Sequence, residues 1–192
     1  DCIAMKTIKL GKTGMDVPVL ALGCMRLADA DRKQAAEYFR TALDLGLNFF
    51  DHADIYAGGR SEEVFADLVR ESGVSRDKLI LQSKCGIVPG KMYDFSKKHI
   101  LESVDGILKR LNTDYLDVLL LHRPDALMEP EEVAEAFDTL EAAGKVRHFG
   151  VSNEDPNTLA LLQKYVRQPI AADQLQLSVT NASMIEQPMN MN

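Results

Sequence analysis

Short apolar runs alternate along this chain with amphipathic segments of helical length. The apolar runs are nearly continuous, as in Val118-Leu119-Leu120-Leu121, which is typical of strands that are buried on both faces. Six such runs are predicted as strands: Val19–Leu22, Asn48–Phe50, Leu79–Gln82, Leu116–Leu121, Val146–Val151 and Ile170–Ala172. Because helix-length segments separate them, parallel pairing is the economical arrangement.

Five helices are predicted in the segments between these strands. The clearest has apolar residues at helical spacing on one face, with Ser96 as its N-cap: Ile100, Val104, Ile107, Leu108 and Leu111. The others are about Asp31–Leu45, about Ser61–Glu71, Pro130 to Gly144, and a helix that begins at Asp155-Pro156. The Pro130–Gly144 segment has the preferred proline start and glycine end of a helix.

The same alternation predicts the fold class. Strand followed by helix, repeated, favours an α/β fold of the (β/α)8 TIM-barrel type, with about six β/α units in this chain. An N-terminal β-hairpin is predicted from Lys6–Leu10 and Met15–Val17, which flank Gly-Lys-Thr-Gly. We expect one domain over residues 1–192, with 1–4 as a remnant ahead of Met5 and 186–192 as a tail or loop.

Polar residues that can do chemistry follow every predicted strand. They are Gly23-Cys24, Asp51, Ser83-Lys84, His122, Ser152-Asn153 and Asp173-Gln174. In a parallel barrel the carboxyl ends of the strands and the loops after them open on one rim. We therefore expect these side chains to gather at one site.

Three of these polar residues, Asp51, Lys84 and His122, form the candidate catalytic group together with Tyr56, which lies in the loop after Asp51. A free tyrosine has a pKa of about 10, too high for an efficient acid at neutral pH. A neighbouring ammonium group favours the phenolate, and a carboxylate beside the lysine keeps that lysine charged. Such a group is suited to protonating a carbonyl oxygen while hydride arrives at the carbon.

Several motifs occur in a fixed order from about Lys6 to Asn181. They are Asp51-x-Ala53-x-x-Tyr56 with Ser61-Glu62-Glu63, Ser83-Lys84, Leu121-His122, Gly144-Lys145-Val146-Arg147 leading into Gly150-Val151-Ser152-Asn153, and Gln174. Together they resemble the aldo-keto reductases. Leu121-His122-Arg123-Pro124-Asp125 is similar to a bacterial oxidoreductase branch of that family.

The resemblance implies NADP(H)-dependent reduction of an aldehyde or ketone to an alcohol, on a barrel without a Rossmann domain. It implies that Tyr56 is the general acid, that Lys84 and Asp51 tune it, and that His122 orients the substrate carbonyl. It assigns contacts with the nicotinamide end of the cofactor to Asp51, Ser152, Asn153 and Gln174. No G-x-G-x-x-G motif occurs in the chain, and no metal site is predicted.

The number of strands departs from the family pattern. A full barrel has eight strands, and about six are predicted here. The resemblance places most contacts to the cofactor pyrophosphate, adenine and 2′-phosphate in the seventh and eighth units. We therefore expect the nicotinamide half of the site in this chain. If these 192 residues are the whole polypeptide, the first and sixth strands have unpaired edges that favour self-association, and the alternative is a polypeptide that continues past Asn192.

Composition narrows the classes of partner. The net charge of −7 argues against binding to nucleic acid or to an anionic membrane, and no apolar run approaches the roughly 20 residues of a bilayer span.

Residues 1–5 lack the pattern of a signal peptide. Cys2, Cys24 and Cys85 are scattered, which favours a reducing cytoplasm, and the last two are expected to be buried filler.

Two other functions stay open. One is a nicotinamide-nucleotide-binding or structural module without useful turnover, which an incomplete barrel would favour. The other is a metal-dependent barrel hydrolase that uses Asp51, His52, Asp54 and His122. No His-x-His or His-Glu-x-x-His spacing favours the hydrolase.

Overall fold

A computed structural model describes residues 5–186 and contains ten strands in those residues. In chain order the strands are β1 (Thr7–Lys9), β2 (Asp16–Pro18), β3 (Leu22–Gly23), β4 (Phe49–Asp51), β5 (Ile80–Cys85), β6 (Ile87–Val88), β7 (Met92–Tyr93), β8 (Leu116–Leu121), β9 (Val146–Ser152) and β10 (Ile170–Gln174).

Six of these strands form one parallel sheet in the order β10-β9-β8-β5-β4-β3. The spatial order follows the chain order, as it does around a (β/α)8 barrel. The predicted fold class is confirmed, and so is the N-terminal hairpin, in which β1 pairs antiparallel with β2. A second small hairpin, β6 with β7, was not predicted.

Helices occupy the connections between the parallel strands. They are α1 (Arg32–Asp44), α2 (Arg60–Ser72), α3 (Lys97–Leu111), α4 (Pro130–Ala142) and α5 (Pro156–Tyr165), followed by a short α6 (Ser183–Glu186). The predicted N-cap Ser96 is confirmed, since its hydroxyl accepts a hydrogen bond from the His99 backbone N–H at 3.3 Å. Asp31 and Asp155 cap α1 and α5 in the same way. All five predicted helices are therefore confirmed.

The core lies between the sheet and the helices. Every residue of β8 is buried, as its continuous apolar run predicted, and the apolar face of α3 packs against the same layer. Aromatic rings fill the space at both ends of the sheet. The ring centroids of Phe50 and Phe65 lie 4.9 Å apart, and those of Phe137 and Phe149 lie 4.1 Å apart.

Two strand boundaries differ from the prediction by three residues, and several others differ by one or two. The first parallel strand is Leu22–Gly23, so the predicted Val19–Leu22 is wrong for its first three residues. Val19 and Leu20 are 41% and 57% exposed, and the Val19 N–H bonds to the Lys6 carbonyl as part of the hairpin. The strand predicted to end at Gln82 continues to Cys85, because pairing with β8 extends that far.

The predicted remnant 1–4 and residues 187–192 of the predicted tail lie outside the described residues. Glu186 is the last residue of α6 rather than part of a tail. Among the helices of residues 5–186, none combines the length and apolarity that crossing a bilayer requires.

Candidate active site

A buried ammonium group joins three of the predicted catalytic residues. Lys84 Nζ donates to Asp51 Oδ1 at 2.7 Å, to the His52 carbonyl at 2.9 Å and to Tyr56 Oη at 3.1 Å. The Lys84 and Asp51 side chains are 3% and 9% exposed. An ammonium has three donors, so Lys84 is fully satisfied. Since the Tyr56 oxygen accepts from Lys84, its own hydrogen is left to point at another acceptor.

The Asp51 carboxylate ties β4 to two other strands. Its Oδ1 also accepts from Gln82 Nε2 at 2.8 Å, and its Oδ2 accepts from Gln174 Nε2 at 3.1 Å. β10 and β4 are four steps apart in the sheet. In a flat sheet that separation would be about 19 Å at ~4.8 Å per strand. The direct contact from Gln174 to Asp51 therefore shows that the sheet curls and that these side chains point into its concave face.

His122 follows β8 directly and is half-buried beside the tyrosine. Its ring centroid lies 6.1 Å from that of Tyr56, with an interplanar angle of 83°. Its Nδ1 is buried and has no hydrogen-bond partner in the described part of the chain. Burial, followed by the charges of Lys84 and Arg123, lowers the pKa of His122 to about 4. The imidazole is thus neutral at pH 7 and keeps one N–H donor.

Three amide and hydroxyl groups meet at the ends of β9 and β10. Asn153 Nδ2 donates to Ser152 Oγ at 2.9 Å, and Ser152 Oγ donates to the Gln174 carbonyl at 3.1 Å. Asn153 has φ of +61°, a left-handed conformation that asparagine tolerates better than most residues. Asn153 Oδ1 accepts no hydrogen bond from residues 5–186.

The structure brings Asp51, Tyr56 and Lys84 together and places His122 beside Tyr56. Ser152, Asn153 and Gln174 adjoin them through the contact from Gln174 to Asp51. Ser83, which was also expected at the site, contacts Glu62 instead. The chemical roles of these residues stay predictions.

Sequence comparison identifies the family. The profile of the aldo/keto reductase family matches residues 19–190. The chain belongs to the aldo/keto reductase family. The resemblance drawn from the motifs is therefore confirmed.

Two bacterial oxidoreductases are among the proteins to which the chain is similar. The chain is 42% identical over 159 residues to the uncharacterized oxidoreductase YcsN of Bacillus subtilis (strain 168). The aligned residues cover 78% of this chain and 53% of YcsN. The chain is 36% identical over 190 residues to the oxidoreductase YdhF of Escherichia coli (strain K12). The aligned residues cover 94% of this chain and 64% of YdhF.

A solved structure carries the same fold. The holo form of the aldo-keto reductase AKR11C1 from Bacillus halodurans matches with a TM-score of 0.83 at 32% identity, over 95% of this chain and 61% of that chain. The chain thus spans between about half and two thirds of the length of these three proteins.

Sequence reasoning missed several polar residues around the site. Gln82, 5% exposed, was predicted only as the end of a strand, yet it donates to Asp51. Glu62 appeared only within a family motif, yet its side chain is fully buried and paired with Arg110 and Ser83. The available signal was the spacing of Glu62, which lies three residues ahead of the inward-facing Phe65 and therefore on the same face of α2.

The side chains of His52, Cys24 and Cys85 are buried in the protein and do not take part in the contacts around Lys84. The His52 ring lies edge-on to Phe65 at 4.4 Å, and burial lowers the pKa of His52 to about 3. Cys24 and Cys85 are buried, and burial raises the pKa of both thiols, which agrees with their prediction as filler. Within residues 5–186, no group of three or more His, Cys, Asp or Glu is placed to hold a metal ion.

Proposed function

We propose that this protein reduces an aldehyde or ketone to an alcohol with NADPH as the hydride donor. The observation that carries the proposal is the Asp51–Lys84–Tyr56 chain, with contacts of 2.7 and 3.1 Å at the concave face of the curled sheet. Membership of the aldo/keto reductase family supports the same chemistry. The cofactor, when bound, supplies hydride to the carbonyl carbon.

Tyr56 is the proton donor in this proposal. Its oxygen accepts from Lys84, so its O–H is free to hydrogen-bond the substrate carbonyl oxygen. As negative charge develops on that oxygen, the phenol proton transfers to it and a phenolate is left on Tyr56. The Lys84 ammonium at 3.1 Å stabilises this phenolate by direct charge attraction.

Asp51 is the counter-ion of Lys84. Its carboxylate oxygen lies 2.7 Å from Nζ, so it balances the buried positive charge and fixes the direction of the ammonium group. Gln82 and Gln174 hold the carboxylate in place from two sides. His122, neutral at pH 7, would donate a hydrogen bond to the carbonyl oxygen beside Tyr56 and so orient the substrate.

The residues at the ends of β9 and β10 fit the nicotinamide carboxamide. That group carries one carbonyl acceptor and one NH2 donor. Asn153 Oδ1 accepts nothing from the described residues and is suited to the NH2, while the second N–H of the Gln174 amide is a donor for the carbonyl. The Ser152 hydroxyl positions both partners, because it accepts from Asn153 Nδ2 and donates to the Gln174 carbonyl. Asp51, Ser152, Asn153 and Gln174 would therefore hold the nicotinamide end of NADP(H).

The proposal is tested by steady-state kinetics with NADPH and a panel of small aldehydes and ketones. Tyr56→Phe should lower kcat by about 10²- to 10⁴-fold, the usual contribution of general acid catalysis, and leave NADPH binding nearly intact. Tyr165→Phe is the matched control, because it removes a phenol that is 45% exposed at the end of α5. Unchanged kcat in Tyr56→Phe, with chemistry rate-limiting, would overturn the role of Tyr56.

A second measurement separates an enzyme from a protein that only binds the nucleotide. A thermal-melt titration measures NADPH binding independently of turnover. Stabilisation by NADPH without any NADPH consumption across the carbonyl panel would favour a nicotinamide-nucleotide-binding or structural role instead.

A further inference from the structure

The segment that follows Tyr56 has a strained backbone. Ala57, Gly58 and Gly59 have φ values of +50°, +64° and +93° in succession. A left-handed conformation is unfavourable for alanine, so Ala57 stays in it only if surrounding contacts determine the path of the chain. The contacts of this segment therefore decide where the Tyr56 hydroxyl lies.

Arg110 supplies one of those contacts from α3. A Cβ at Gly59 would lie 2.7 Å from both Cδ and Nε of Arg110, and a Cβ at Gly106 would lie 2.9 Å from its Nη1. The arginine side chain thus lies against two glycine backbones, where any larger residue would displace it. It fixes the end of the Tyr56 segment against α3.

Glu62 holds this arginine in place. Glu62 Oε2 accepts from Arg110 Nε at 2.7 Å, and Glu62 Oε1 accepts from Ser83 Oγ at 2.8 Å. The Glu62 side chain is 0% exposed, and that of Arg110 is 25% exposed. Both oxygens of the fully buried Glu62 carboxylate therefore have a donor, which makes the geometry rigid.

The link from Glu62 to Ser83 reaches the strand that carries the lysine. Ser83 and Lys84 are successive residues of β5, so their side chains point to opposite faces of the sheet. Lys84 points to the concave face and contacts Tyr56, while Ser83 points to the helix layer and contacts Glu62. The Ser83–Glu62–Arg110 cluster therefore joins β5 to the Tyr56 segment behind the site.

We propose that Glu62 is a positioning residue, which holds the Tyr56 hydroxyl at hydrogen-bond distance from Lys84 through Arg110 and Ser83. This inference rests on the proposed function, because it concerns the placement of the same proton donor. Glu62 itself touches neither substrate nor cofactor, since its carboxylate is occupied by partners on the helix side of the sheet.

The test compares Glu62→Ala with Glu63→Ala, its exposed neighbour in the first turn of α2. Glu62→Ala should lower kcat by about 10- to 100-fold, because a misplacement of about 1 Å at a catalytic group costs up to about 10²-fold. The KM for the carbonyl and the affinity for NADPH should change little. Glu62→Gln, which can still accept from Arg110 and donate to Ser83, should recover most of the activity, and Glu63→Ala should match wild type.

Repeating the substitution in a Tyr56→Phe protein distinguishes a positioning role of Glu62 from a general disturbance of the fold. If Glu62 acts through Tyr56, Glu62→Ala should have no further effect on kcat in a Tyr56→Phe protein. An equal loss of kcat in both backgrounds, or no loss in either, would overturn the proposal. Should Glu62→Ala fail to fold, Ser83→Ala breaks the same link and should lower kcat severalfold in the wild-type background only. Wild-type activity in Tyr56→Phe would instead refute the proposed function itself.

Discussion

Lys84→Met removes the buried ammonium while keeping the length of the side chain. The substitution leaves the Asp51 carboxylate, 9% exposed, with only the amide donors of Gln82 and Gln174. It also removes the donor to the His52 carbonyl. Breaking a buried ion pair by removing one partner costs about 3–5 kcal/mol. We expect a loss of that size in the free energy of unfolding at pH 7, a large part of the 5–15 kcal/mol typical of a domain.

The chain offers a control with the same substitution and the same distance. Lys9 and Asp16 also pair at 2.7 Å, but their side chains are 60% and 62% exposed. Exposed pairs contribute about 0–1 kcal/mol, so Lys9→Met should be nearly neutral. Urea unfolding followed by circular dichroism measures both variants. Equal losses in Lys9→Met and Lys84→Met would refute the argument from burial.

A double-mutant cycle then isolates the pair. Asp51→Asn alone leaves the Lys84 ammonium buried without its carboxylate, so it too should be destabilising. Asp51→Asn with Lys84→Met removes both charges, and its loss should be smaller than the sum of the single losses by about 1–3 kcal/mol. Additive losses would show that the two side chains are not energetically coupled.

Two further stability predictions follow from buried positions. Because burial lowers the pKa of His52 to about 3, the unfolded chain gains a proton below pH 6.5 and the folded chain does not, so stability is lost as pH falls. His52→Leu should remove about 2 kcal/mol of the change between pH 7 and 5 in urea unfolding, and an unchanged pH dependence would contradict this. At Gly150, an added Cβ would lie 2.6 Å from Leu120 Cδ2 and 2.7 Å from the Ala172 carbonyl, so Gly150→Ala should cost about 1–3 kcal/mol. Gly23→Ala, in a strand with open space around it, is the matched control and should be neutral, and equal melting temperatures for the two variants would reject the clash.

The sequence predicted the layers of the fold well because strand burial and helix periodicity are local signals. The continuous run of β8 and the apolar face of α3 needed no knowledge of the rest of the chain. The run Val19–Leu22 shows the limit of such signals. An apolar run does not reveal that Val19 completes a hairpin and stays exposed.

The site was predictable where residues stand at the ends of strands, and not where a partner is distant in sequence. Asp51 and Lys84 follow from topology alone, because carboxyl ends of parallel strands meet at one rim. Arg110 lies 48 residues from Glu62, and on α3 it reads as an ordinary charge near a helix end. The roles of the site residues, and the self-association expected at the first and sixth strands, remain predictions.

The buried Asp51–Lys84 ion pair lies on the concave face of the sheet, beside Tyr56. Replacing a buried ion pair by apolar side chains is often neutral or stabilising, so the Asp51–Lys84 pair is poorly explained by stability alone. Its position under the Tyr56 hydroxyl gives it a chemical reason to be buried. We therefore expect that Lys84, 3% exposed, serves the chemistry proposed for the concave face more than it serves stability.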